Sequence, residues 1–185
     1  MFGKLLARRK VKQQASRDSL DLYNQLVIQA RSPHFYLPPF GVEDTVEGRF
    51  ELILIHLFIV DHWLSAEDQN ILLRRTLRET LVTDMDRSLR EMGIGDMSVG
   101  KQMKQVGSAL LGRLQSYKTA CELGHEDAET KSKLAEVLTR NINGYENIQA
   151  GMPLAGYMIT QIKALSAIGF AKRQPQDKLF TNTMK

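Results

Sequence analysis

Apolar positions recur at helical spacing along most of the chain. Leu20, Tyr23, Leu26, Val27 and Ala30 follow the three-and-four spacing of one buried face, and Ser16 or Asp18 can cap that helix. It stops before Pro33, because the residue ahead of a proline avoids the α region. Residues 33–44 read as a loop with Pro33, Pro38-Pro39 and Gly41, its Phe35, Tyr36 and Phe40 folded back onto the core. Asp44 or Thr45 then caps a second helix predicted to run to about Ser65. From Phe50 to Val60 this stretch is apolar except for Glu51 and His56. A helix apolar all round is covered all round. Ile53, Ile55, Ile59 and Val60 would also suit a buried strand, but Glu47, Arg49 and His62 extend the element to about 20 residues, a helical length.

Ser65 and Asp68 resemble a capping box. The helix after it carries Ile71, Leu72, Leu77, Leu81, Met85, Leu89 and Met92, with a possible break near Thr83, and ends at Gly93. Ser98 starts the next, with Val99, Met103, Val106, Leu110, Leu114 and Tyr117, ending near Gly124. Two more are predicted over about 126–143 and 151–168. No hairpin of alternating segments and no fixed-period repeat occurs. The expected fold is all-α: a basic tail over 1–15, one domain of six or seven helices over 16–170 around the hydrophobic one, and a polar tail over 171–185.

The length of 185 residues suits one such domain. A single cysteine, Cys121, excludes an intramolecular disulfide framework and fits a reducing compartment. No apolar run reaches the roughly 18 residues of a membrane-spanning helix. The formal charge is +4 and uneven: Lys4, Arg8, Arg9, Lys10 and Lys12 put +5 into the first 14 residues, leaving −1 for the rest. A nucleic-acid groove would spread its cations over the domain, so no sequence-specific nucleic-acid partner is expected. With Phe2, Leu5 and Leu6 between the cations, the segment suits an anionic membrane surface or a ribosome. A presequence remnant and a solubilising tail are the other readings.

Three signals of site chemistry fail on context. Gly95 to Gln102 fits G-x-x-x-x-G-K, but a helix precedes it and Gln102 stands where a phosphate loop needs Ser or Thr. Cys121 and His125 have no further ligand nearby, and His56 and His62 lie on different helix faces, so no metal is expected. His56 reads as a hydrogen-bonded core histidine. No nucleophile constellation around Cys121 is recognisable.

Two stretches are dense in special residues. Residues 41–52 include Glu47, Gly48, Arg49 and Glu51, with His56 just after; a glycine within the first helical turns points to close approach of another backbone. Residues 84–104 include Asp86, Arg90, Glu91, Gly93, Gly95, Asp96, Gly100, Lys101 and Lys104. Gly93 suits a left-handed helix cap, Asp96 or Ser98 a helix start, and Asp86 with Arg90 a surface pair. Together the stretches resemble the ubiquinol–cytochrome c chaperone family, assembly factors of the cytochrome bc complex (respiratory complex III). Tyr23, Ala30-Arg31, Pro33, Phe35-Tyr36, Gly112-Arg113 and Tyr117 agree with it, over about residues 18–170, and the short basic lead is similar to the α-proteobacterial branch.

The resemblance implies an all-helical, cofactor-free, non-enzymatic chaperone. Such proteins bind newly made cytochrome b, support its haem acquisition and pass it into the complex. Mitochondrial members also contact the ribosome and a small partner protein. The implied place is cytoplasmic and peripheral at the inner membrane, or the matrix side of the mitochondrial inner membrane. On that reading Asp86, Arg90, Glu91, Asp96, Lys101 and Lys104 form a polar client-binding edge. Met85, Met92, Met97 and Met103 add flexible apolar surface, so an exposed apolar patch is expected there. A helical scaffold for a soluble partner is the alternative. An enzyme built on His56, Asp86 or Glu91 would instead need a pocket of converging ionisable groups.

Overall fold

The computed structural model describes residues 2–124, 127–173 and 177–181, with side chains from residue 6 onward except at residue 123. Six α-helices follow one another, and no strand occurs among the described residues. They are α1 (Phe2–Ala30), α2 (Val46–Leu64), α3 (Ile71–Glu91), α4 (Asp96–Leu123), α5 (Asp127–Asn141) and α6 (Ile148–Ile168). The apolar run forms the middle of α2, where every residue from Glu51 to Asp61 is buried. Thr45 caps this helix, its Oγ1 accepting from the Gly48 amide at 3.1 Å. α1, α3, α4 and α6 pack around α2, and α5 packs on α4 and α6. Burial of Leu52, Leu54, Ile55, Leu57, Ile59 and Leu64 stabilises the fold by about 1.5–3 kcal/mol per side chain.

Three polar side chains lie within the sealed part of α2, and each meets a different neighbour. Arg113 of α4 donates to Glu51 through Nε and Nη2, the shortest contact 2.6 Å. His56 lies 2.9 Å from the Tyr157 hydroxyl of α6. Asp61 accepts from both Arg74 (2.9 Å) and Arg78 (2.7 Å) of α3.

α1 and α3 run parallel. Ser19 bonds Thr80 at 2.7 Å and Tyr23 donates to Asp84 at 2.8 Å, both across a sequence offset of 61. This packing selects Ala15, Ser19, Leu22, Tyr23, Leu26 and Ala30 as the buried stripe of α1. The expected start near Ser16 is corrected: α1 begins at Phe2, and Ser16 is an exposed mid-helix residue. Nothing interrupts it, because no proline falls between residues 2 and 30. Leu20, expected inside, is 54% exposed.

Ser65 closes α2, donating to the His62 carbonyl, rather than opening the next helix. A 3₁₀ turn at Asp68–Asn70 leads into α3, which passes Thr83 unbroken. The expected polar tail also needs correction over residues 177–181. Leu179 and Phe180 are buried, and the buried Gln161 amide donates to the Thr181 carbonyl and accepts from its N–H. The expected helix start at Glu126 lies outside the described residues.

Gly48 fulfils its expectation. A Cβ there would stand 2.1 Å from the Glu43 carbonyl oxygen. In an open helix Gly48→Ala would gain up to ~1 kcal/mol; here the overlap is with backbone. We therefore expect a net loss of about 1–3 kcal/mol, read as a lower urea midpoint at unchanged m-value.

Candidate functional site

The second motif folds into the hairpin joining α3 to α4. Gly93 takes φ +79°, the left-handed conformation that glycine adopts freely. Its amide donates to the Arg90 carbonyl, and the Ile94 amide to that of Leu89, which closes the end of α3. Gly95 stands at the N-cap of α4, and its carbonyl accepts from Ser98 and Val99. Neither Asp96 nor Ser98 caps the helix with its side chain.

Asp96 is used differently. Arg90 donates to it at 2.6 Å and to Asp86 at 2.8 Å, so one guanidinium ties the end of α3 to the start of α4. Hydrogen bonding from Arg90 holds the Asp86 carboxyl below its ordinary range. Arg87 pairs with Asp84 and, at 3.8 Å, with Glu91. Four charges of the expected edge, Asp86, Arg90, Glu91 and Asp96, are thus engaged within the hairpin. Lys101 and Lys104 are exposed, with no ion pair among the described residues.

The methionines divide. Met97 is 97% exposed and Met92 55%, whereas Met85 and Met103 are half-buried. Val99, 1% exposed, is the first buried side chain of α4. A Cβ on Gly95 or Gly100 would meet open space, so nothing in the structure explains glycine at position 100. Farther along the same two helices lies an open groove of about 610 Å³. Ile71, Val82, Leu110 and Leu111 give it an apolar lining, with Arg75 and Arg78 beside them.

The first motif does not join this site. Glu47 is exposed in the first turn of α2. Arg49 bonds Asp44 at the surface, 2.6 Å, and that bond lowers the Asp44 carboxyl. Gly48, Glu51 and His56 belong to the interior. Sequence reasoning missed Asp61 with Arg74 and Arg78, and it did not link Arg113 to Glu51; Gly112-Arg113 was the only signal for the latter.

The buried ionisable groups Glu51, His56 and Asp61 diverge to three helices and do not line one pocket. Among the described residues no cluster of His, Cys, Asp and Glu could hold a metal ion; His125 lies outside them. Burial, with a smaller effect of Glu122, pushes the Cys121 thiol up to about 11, the reverse of an activated nucleophile. Gly95 to Gln102 forms the N-cap and first turns of α4, with a helix and no strand ahead of it. No helix among the described residues is long and apolar enough to cross a membrane.

The family model of the ubiquinol–cytochrome c chaperone matches residues 39–172, through both motifs. The chain belongs to the ubiquinol–cytochrome c chaperone family. Its structure is similar to the crystal structure of the Cbp3 homolog from Brucella abortus, with 31% identity and a TM-score of 0.76. That match covers 98% of this chain and 97% of the other. No curated protein matches. The six helices are therefore the chaperone fold itself, and the α3–α4 hairpin lies inside the family match.

Two consequences concern how this chaperone fold is held. The Leu52 carbonyl, 2.7 Å from His56 Nδ1, can only accept, so Nδ1 carries the proton and Nε2 accepts from Tyr157. Phe35 and Phe180 stand edge-on to the ring. Burial lowers the His56 pKa to about 4. Above the unfolded value of ~6.5 the ring is neutral in both states and stability is full. Between there and about 4 only the unfolded chain binds the proton, so stability falls by ~1.4 kcal/mol per pH unit. Urea midpoints measured across that window should fall with pH for the natural chain and flatten for His56→Gln. Above about pH 5 a remaining slope would belong to His62, also lowered by burial; below it the lowered Asp44 and Asp86 carboxyls add to the slope. Arg113→Met leaves the Glu51 carboxylate buried without its partner and should cost about 3 kcal/mol in equilibrium unfolding; Arg113 is a quarter exposed, which favours the lower end of the range.

Proposed function

We propose that this protein is an assembly chaperone that binds newly made cytochrome b and holds it for haem acquisition and passage into the cytochrome bc complex. The observation that carries the reading is the family match over residues 39–172. The working step is binding, not catalysis. Client contact is assigned to the α3–α4 hairpin, through Met92, Met97, Lys101 and Lys104. A thioether side chain adapts to an irregular apolar surface, and the two lysines supply charge that no ion pair among the described residues neutralises. Asp86, Arg90, Glu91 and Asp96 frame the contact by fixing the hairpin. The client is a membrane protein, so the place of action is the cytoplasmic face of the inner membrane.

Photo-crosslinking in native membranes tests this. Probes at Met97 and Lys101 should give cytochrome b adducts, and a probe at the exposed Glu136 of α5 should give none. Met97→Asp should lower both the adduct and the amount of assembled complex several-fold. Adducts only to soluble proteins, with cytochrome b synthesis intact, would replace this reading by that of a scaffold.

A further inference from the structure

We propose that the early turns of α1 and the start of α3 form a docking face for an anionic lipid surface. In α1 the first buried described side chain is Ala15, 8% exposed. Every side chain from residue 6 to residue 14 is exposed. These turns continue the helix that is packed into the body, so their charges are presented at set positions. The parallel offset of 61 brings residue 11 of α1 level with residue 72 of α3. There Ala7, Arg8, Arg9, Val11, Lys12 and Leu72 line one open cleft of about 700 Å³. Ala7, Val11 and Leu72 give it apolar lining, and Arg8, Arg9 and Lys12 give it basic lining.

Two further facts select the occupant. Arg8, Arg9, Lys10 and Lys12 make no ion pair among the described residues, and α1 has no acid before Asp18. On the α3 side the acids are Asp68, exposed before the helix, Glu67, bonded by Gln69 and Asn70, and Glu79, paired with Arg75. This contrasts with the α3–α4 hairpin, where the charges largely cancel. Among the uncancelled cations of α1 stand bare apolar side chains: Leu6 is 56% exposed and Val11 59%. Cations around short apolar side chains match anionic headgroups above an acyl layer. A single-stranded nucleic acid would instead call for aromatic faces on which bases stack, and neither residues 6–12 nor Leu72 supply one.

The test is vesicle flotation of the full chain without cytochrome b, so its outcome is independent of the client assignment. The chain should float with phosphatidylcholine vesicles holding about one-third phosphatidylglycerol and not with phosphatidylcholine alone. Binding should weaken steeply between about 0.1 and 0.5 M salt as screening shortens. Each removed charge lowers affinity about five-fold, so Arg8→Gln with Lys12→Gln should bind about 25-fold more weakly. Both residues precede the first buried side chain, so the variant should melt with the natural chain. Equal binding to neutral vesicles, or an unchanged double variant, would overturn the proposal. Salt-sensitive binding to a structured RNA with no vesicle binding would overturn it in favour of nucleic acid.

Discussion

A helix sealed on every side can place a polar side chain only against its neighbours, and α2 has three such side chains. Glu51, His56 and Asp61 are spaced by five residues, which turns each about 140° from the one before. They therefore point in three directions and reach α4, α6 and α3. Apolar packing alone would tolerate a rotated α2, since leucine and isoleucine line it all round. The three polar bonds do not, because a rotation that keeps one of them breaks the others and leaves buried groups unpaired. The arrangement of the other helices follows from how α2 is turned.

The α3–α4 hairpin inherits its position from this. Asp61 holds α3 at Arg74 and Arg78, and Glu51 holds α4 at Arg113. From Arg78 to Arg90 is about 18 Å of helix, so the hairpin lies well away from both anchors. Arg90, shared between Asp86 and Asp96, sets the geometry at the far end. The far end of the hairpin is thereby separated from the interior: Met97 lies almost wholly in water, and the core does not depend on it. Substitutions on such a surface should have little effect on the fold.

Much of this was legible in the sequence because the relevant signals are local. The apolar run marked α2, Gly48 marked a close backbone contact, and Gly93 marked the left-handed cap. The Asp86–Arg90 pair followed from helical spacing. The failures share a cause, namely partners distant in the chain. Nothing near Glu51 points to Arg113, 62 residues on. Leu20 fits a helical stripe as well as Leu22 does, and only packing on α3 chooses between them. Residues 177–181 look polar and follow a proline, yet Gln161 and Gln25 capture their backbone. At the site, Asp96 seemed suited to cap α4, and competition from Arg90 across the hairpin decided otherwise.

The order in which the partners of α2 occur along the chain has a further consequence. Asp61 meets its arginines within 17 residues, but Glu51 must wait for residue 113 and His56 for residue 157. A ribosome delivering this chain therefore releases its most apolar segment when only α1, of the helices that cover it, has been made. Until α6 emerges, one side of α2 has no native neighbour, and non-local closure of this kind is slow and prone to wrong association. The nascent protein thus passes through an interval of uncovered apolar helix, the same hazard from which chaperones shield membrane proteins.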